Sequence, residues 1–317
     1  MRPEYREEPC RSALNKVAGM SFKWSLNPYT GCVHQCTFCF VRAFEKRADR
    51  PFDDRYGTSI RVKTNIVEVL RRELGRPRWT RELVVIGTAT DPYQPAEGRY
   101  RLTRQSIEAL ADARTPLSII TRGPLIVRDV DALVEADRRA SATVTVSVPT
   151  LDPEIWRLTE PGTPPPRQRL RALSRLIDAG IEASVGMAPI LPGLSDRPEL
   201  LADVVKAARD AGATSIWTNV LYLRPGTREH FLDHLARDWP ELLPLYETLY
   251  DGRAYLGKDV VGPVRREVAE LRQRFEIADR RRIRLLPAPG DPPPDTQLEL
   301  PLDAESSASS DVDAAIA

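Results

Sequence analysis

Short apolar runs recur along the chain at residues 22–26, 83–86, 117–120, 144–148, 183–187 and 215–220, most of them rich in Val and Ile. Runs of this length, bounded by Gly, Pro or polar residues, read as buried strands. Between them the apolar positions fall at helical spacing. Ile66, Val69, Leu70 and Leu74 share one helical face, and further helices are predicted over residues 40–46, 103–113, 129–136, 166–179 and 198–211. Gly180 and Gly212 stand where helix C-caps belong, each just before the next strand.

Continuous apolar strands alternating with helices imply a parallel sheet covered on its outer face. A closed eight-unit barrel takes about 250 residues, or roughly 30 per unit, so the ~200 residues from 23 to 225 suit about six units. The expected fold is α/β, a partial (β/α)6 TIM-like barrel, with a doubly wound open sheet as the alternative. Residues 1–22 are polar and are expected to form an N-terminal extension across the barrel. After Pro225 the pattern turns to helices alone, a C-terminal extension over 226–286. There Val264, Val268, Leu271 and Phe275 keep helical spacing and the arginine run at 280–284 closes the helix. Residues 287–317, rich in Pro, Asp, Ser and Ala, cannot bury enough apolar surface to offset their ordering entropy, so a disordered tail is expected.

At 317 residues and 42% hydrophobic content, the chain can build a large core. The N-terminus lacks an apolar signal segment and no run of about 18 apolar residues occurs, so no membrane association and a cytoplasmic location are expected. In that compartment cysteines stay reduced. The formal charge is +1, unevenly spread: the first 284 residues carry all 46 basic residues against 38 acids, a net of +8, because seven of the 45 acids lie beyond them. A basic body is mildly favourable for a polyanionic partner.

Candidate chemistry concentrates in Asn27-Pro28-Tyr29-Thr30-Gly31-Cys32-Val33-His34-Gln35-Cys36-Thr37-Phe38-Cys39. Thiolates this dense suit zinc, copper(I) or an iron–sulfur cluster, and three cysteines on one loop can hold three irons of a cubane, leaving the fourth open to an exogenous ligand. The alternative is a structural zinc knuckle completed by His34. Cys10 lies apart and reads as a free thiol.

The spacing Cys32-x-x-x-Cys36-x-x-Cys39, with an aromatic just before the last cysteine, resembles the signature of the radical S-adenosylmethionine (SAM) superfamily. The longer run Asn27-Pro28-Tyr29-x-Gly31-Cys32, together with Gly87-Thr88-Ala89-Thr90-Asp91-Pro92-Tyr93-Gln94-Pro95, resembles its branch of proteins related to spore photoproduct lyase. The resemblance implies a 4Fe-4S cluster on Cys32, Cys36 and Cys39, with SAM completing the coordination. One electron, from a donor such as flavodoxin or ferredoxin, then yields methionine and a 5'-deoxyadenosyl radical. It also implies an active site at the carboxyl ends of the strands. Thr88, Thr90 and Asp91 are expected to receive the SAM ammonium, Arg169 the carboxylate and Ser147 the ribose, with Phe38 and residues 188–191 flanking the adenine. In spore photoproduct lyase a cysteine on the second strand's turn returns a hydrogen atom to the product radical; the matching position here is Gly87. Photoproduct reversal by that route is therefore not expected, Tyr93 being a speculative substitute.

The kinship, the basic body and the tail point to DNA as the substrate, in repair or modification of lyase or transferase type. A peptide or small metabolite is the alternative within the class, and a non-catalytic zinc-binding adaptor the alternative outside it. In the tail, Gln297, Leu298, Leu300 and Leu302 resemble the short motif that docks bacterial DNA-metabolism proteins on the replication sliding clamp. The same alternation also suits a strand folding back on the barrel.

Overall fold

The computed structural model describes residues 3–277. Ten strands form, in chain order β1 (Glu4–Glu8), β2 (Leu14–Lys16), β3 (Trp24–Leu26), β4 (Tyr29–Thr30), β5 (Ser59–Lys63), β6 (Val84–Ile86), β7 (Leu117–Thr121), β8 (Ala142–Ser147), β9 (Glu182–Ile190) and β10 (Ile216–Val220). Every apolar run singled out in the sequence supplies a strand of the main sheet.

That sheet is seven-stranded, in the order β2-β3-β6-β7-β8-β9-β10. From β3 to β10 each neighbour pairs in parallel. The order climbs steadily with the sequence, and this separates the two expected architectures. A doubly wound sheet reverses its strand order at a switch point, whereas right-handed crossovers always taken in one direction put the connecting helices on one face and curl the sheet. The fold is the partial barrel, with its ends carried by β2 and β10. Alternating burial along β7 and β8 sends one set of side chains into the barrel and the other under the helices.

The helix Ile66–Leu74 buries the predicted face of Ile66, Val69, Leu70 and Leu74. The helix Lys258–Arg274 buries Val268 and Leu271 against the helix Pro198–Asp210 and β10, but stops at Arg274. The arginine run at 280–284, the expected tail and the clamp-like motif at 297–302 lie outside the described residues. No described helix is long and apolar enough to cross a membrane.

The N-terminal segment departs from its polar pattern. β2 adds to β3 in antiparallel fashion, and β1 pairs in parallel with β5 in a small sheet that also holds β4. Neither strand needs an apolar run, because each sits at a sheet edge with one face toward water. Glu73 secures the entry: its carboxylate accepts from Ser12 Oγ at 2.8 Å, Ala13 N at 3.2 Å and Leu14 N at 2.9 Å. Replacing Glu73 with Ala strips these buried donors of a charged acceptor. A loss of about 2–3 kcal/mol is expected in urea unfolding, with early proteolysis before residue 20.

Candidate active site

β3 ends at Leu26 and the chain crosses through β4 into the cysteine loop. Asn27 binds the end of the first parallel strand to the turn after the second: its Nδ2 donates to Thr88 Oγ1 at 3.2 Å and its Oδ1 accepts from Ala89 N at 2.9 Å. Gln94 and Thr90 hold the loop's first turn. Thr90 Oγ1 donates to Gly31 O at 2.6 Å, Gln94 Nε2 donates to the same carbonyl at 3.1 Å, and Gln94 Oε1 accepts from Val33 N at 3.2 Å. From the other side, Thr37 N donates to Thr159 O at 2.9 Å and Gly162 N to His34 O at 3.0 Å. Gly162 lies so close that a Cβ there would meet Val33 O at 2.3 Å. The buried Arg42 braces the loop from below. Its Nη1 donates to Phe52 O at 2.6 Å and Asp53 O at 2.7 Å, its Nε reaches Cys36 O at 3.4 Å, and its plane lies 4.8 Å from the Tyr56 ring.

Cys32, Cys36 and Cys39 open into one pocket with residues 87–91, Thr121, Arg122, Phe40 and Tyr56. The ends of the first three parallel strands therefore meet there. Three thiols on one loop facing one pocket are the ligand set that a cubane cluster with one open iron requires. Burial pushes the Cys36 and Cys39 thiols up. The thiolate form thus needs a cation among the sulfurs, which a metal cluster would supply.

Asp91 is the hub of the second turn. Its carboxylate accepts from Thr121 Oγ1 at 2.7 Å, Arg122 N at 2.6 Å and Tyr93 N at 2.9 Å, and lies 3.4 Å from His34 Nδ1 without hydrogen-bond alignment. Burial alone would raise this carboxyl; His34, the Thr121 hydroxyl and the Arg122 amide outweigh it and hold it at about 2. His34 is the polar neighbour expected. Its burial is opposed by Cys32 and Asp91, which push it up to about 10.

Two arginines share one buried carboxylate. Glu160 lies 2.5 Å from Arg122 Nε and 3.1 Å from Arg169 Nη1. Arg169 is wholly buried, and its remaining donors go to Ser147 O at 3.0 Å, Pro164 O at 2.8 Å and Thr163 Oγ1 at 2.5 Å. Its guanidinium is buried among these groups and does not line the pocket, which corrects the expected carboxylate contact. Arg122 lines the pocket instead.

The predicted residues divide accordingly. The structure brings Cys32, Cys36, Cys39, Thr88, Thr90 and Asp91 around the pocket, while Ser147, Arg169 and Phe38 stand behind its wall. The Thr90 hydroxyl and Asp91 carboxylate are spent on internal bonds, but the carbonyls of Thr88, Ala89 and Thr90 accept no hydrogen bond from any described residue. Those carbonyls and Arg122 fit the ammonium and carboxylate of an amino-acid moiety. Phe38 packs beneath Arg122, its ring 5.7 Å from the guanidinium. Tyr93 is buried and does not line the pocket. Arg122 was legible as a residue at a strand's carboxyl end, though without a role; Arg42 and Tyr56 were missed in the sequence.

The site defines a class: a partial barrel that presents three unpaired thiols, an arginine and open main-chain carbonyls at one mouth. The chain belongs to the radical SAM superfamily, which it matches over residues 26–205. The cofactors of that family are a 4Fe-4S cluster and SAM. An uncharacterised protein of Mycobacterium tuberculosis is 41% identical over 299 residues, covering 93% of this chain and 86% of its own length. The radical SAM Nalpha-GlyT isomerase of Pseudomonas phage M6 is 27% identical over 169 residues, covering 53% of this chain and 33% of its own. A spore photoproduct lyase with bound AdoMet and dinucleoside spore photoproduct shares the fold, with a TM-score of 0.65 at 15% identity, over 86% of this chain and 79% of that one.

At Gly87, where the resemblance sets the lyase's cysteine, the turn has no room for a side chain. The φ of Gly87 is +94°, and a Cβ would stand 2.3 Å from Ile120 O and 2.7 Å from Pro92 Cδ. Installing Cys at Gly87 is expected to lower both the melting midpoint and the iron content of the anaerobically reconstituted protein; unchanged values would refute the clash. Truncating Arg169 to Ala leaves Glu160 buried beside Arg122 alone. This is expected to cost about 3–5 kcal/mol in unfolding, a far larger effect than an exposed helical arginine would show.

Proposed function

We propose that the protein is a radical SAM enzyme that modifies or repairs a nucleic acid. The reading is carried by a row of aromatic rings leading away from the thiol pocket. Phe40, which lines that pocket, lies 6.2 Å from Tyr222, and Tyr222 stacks on Tyr255 at 5.0 Å with planes 17° apart. Tyr255 is half exposed and Arg224 lies over its ring at 5.5 Å. The two tyrosines line a cavity of about 450 Å³ whose other walls include Lys258, Arg265 and Arg266. Stacking surfaces set among cations are what unpaired bases and their phosphates require. The dinucleoside bound by the structurally similar lyase supports the same class of substrate.

When bound, the cluster and SAM supply a 5'-deoxyadenosyl radical from one electron. The chain's own residues do the rest. Cys32, Cys36 and Cys39 would hold the cluster, Arg122 and the 88–90 carbonyls would orient the amino-acid end of SAM, and Asp91 fixes both by gripping the Arg122 amide. Phe40 and Tyr222 screen the pocket from water and set the substrate beside it.

Anaerobically reconstituted protein, given dithionite, SAM and single-stranded oligonucleotides, is expected to cleave SAM faster with oligonucleotide present: deuterated oligonucleotide passes deuterium to released 5'-deoxyadenosine if SAM is consumed, and SAM deuterated at its 5' carbon passes deuterium to the nucleic acid if SAM is regenerated. Tyr222→Ala and Tyr255→Ala should each weaken single-strand binding by about 1–3 kcal/mol, roughly 5- to 150-fold, without changing iron content. Oligonucleotides that neither bind nor alter cofactor turnover would end this reading.

A further inference from the structure

Outside the thiol pocket, one group of ligating side chains converges and has no part in the chemistry above. His230 and His234 lie one turn apart on the helix Thr227–Asp238, their ring centroids 4.3 Å apart. Asp54 reaches them from the loop after the cysteine-bearing segment. Its Oδ1 is 3.8 Å from His230 Nδ1 and 3.7 Å from His234 Nε2, and the three ligand atoms all lie within 4.8 Å of one another. These separations are too long for hydrogen bonds. They are close to the roughly 3.4 Å between ligands that surround a tetrahedral ion at about 2.1 Å.

The imidazoles are also prepared for such an ion. His234 Nδ1 lies 2.8 Å from His230 O, so this nitrogen carries the proton and donates it, leaving the Nε2 lone pair toward Asp54. Metal-binding histidines are fixed in this way by a backbone carbonyl behind the ring. His230 is buried. Asp54, with its side chain 84% exposed, is free to swing the last few tenths of an ångström.

We propose that Asp54, His230 and His234 form a site for one divalent transition-metal cation of the zinc class. Two imidazoles and a carboxylate with an open fourth position favour this chemistry over calcium or magnesium, which prefer oxygen. Its effect follows from what Asp54 adjoins. Phe52 O and Asp53 O are the carbonyls that hold Arg42, and the same guanidinium reaches Cys36 O and Gln35 O. A cation clasping Asp54 to the helix would stiffen the brace beneath the cysteine loop. The inference stands on these three side chains and does not depend on the substrate.

The test uses the tag-free full chain with its cluster reconstituted, so that the thiols are occupied, followed by zinc chloride titration and metal analysis. One zinc per chain is expected in addition to the iron, and His234→Gln should weaken zinc binding by about 100-fold while iron is retained. Asp54→Asn changes an exposed residue and should fold normally; a roughly tenfold or greater loss of zinc affinity with an unchanged zinc-free melting midpoint supports the site. A Cys32→Ser/Cys36→Ser/Cys39→Ser chain should still take up zinc. The proposal is overturned if the reconstituted protein binds no zinc, or if zinc uptake survives His234→Gln and Asp54→Asn but disappears with the cysteines.

Discussion

A loop that must keep three thiols apart, unpaired and facing one cavity cannot satisfy its own backbone, and everything around the site follows from that constraint. The cysteine segment has no strand or long helix to fix it before Arg42. Its carbonyls and amides are instead met by buried side chains from neighbouring elements: Gln94 and Thr90 at its first turn, Arg42 beneath it, and the main chain around Thr159 and Gly162 opposite. Each neutral bond contributes only about 1 kcal/mol, and each charged one about 1.5–3, but leaving any such buried group unmet costs comparably. The loop is therefore held from three sides.

The same logic accounts for the buried charges. Glu160 could not stay ionised without its two guanidiniums, which outweigh the burial that would otherwise raise its carboxyl. Arg169, buried, fixes Glu160; Glu160 then aims Arg122, which alone of the three reaches the pocket. A buried ion network of this kind adds little stability over an apolar one, but it defines a single geometry. Here that geometry places one guanidinium beside the thiols.

Much of the architecture was legible from the linear pattern, because parallel strands buried on both faces are written as unbroken Val- and Ile-rich runs. The cysteine spacing was equally plain, since ligands on one short loop must be close in sequence. Contacts that arise from folding were not. β1 and β2 lie at sheet edges and keep polar residues, so no periodicity marks them. Arg122 and Arg169 carry the same side chain, and which one turns inward is decided by the burial of Glu160, a property of the assembled barrel. His230 and His234 did carry a local signal, a helical spacing of four. Their third member, Asp54, comes from far upstream and is joined to them only by the fold.

Gly87 limits what its turn can carry. In the lyase-like pattern this turn carries a reactive side chain; here the carbonyl of Ile120 and the ring of Pro92 fill the space where one would begin. The obstruction from Ile120 is main chain, so no substitution there removes it; a side chain on this turn would require the strand end at Ile120 and the 87–92 turn to move apart, and with them the pocket-lining groups that both carry.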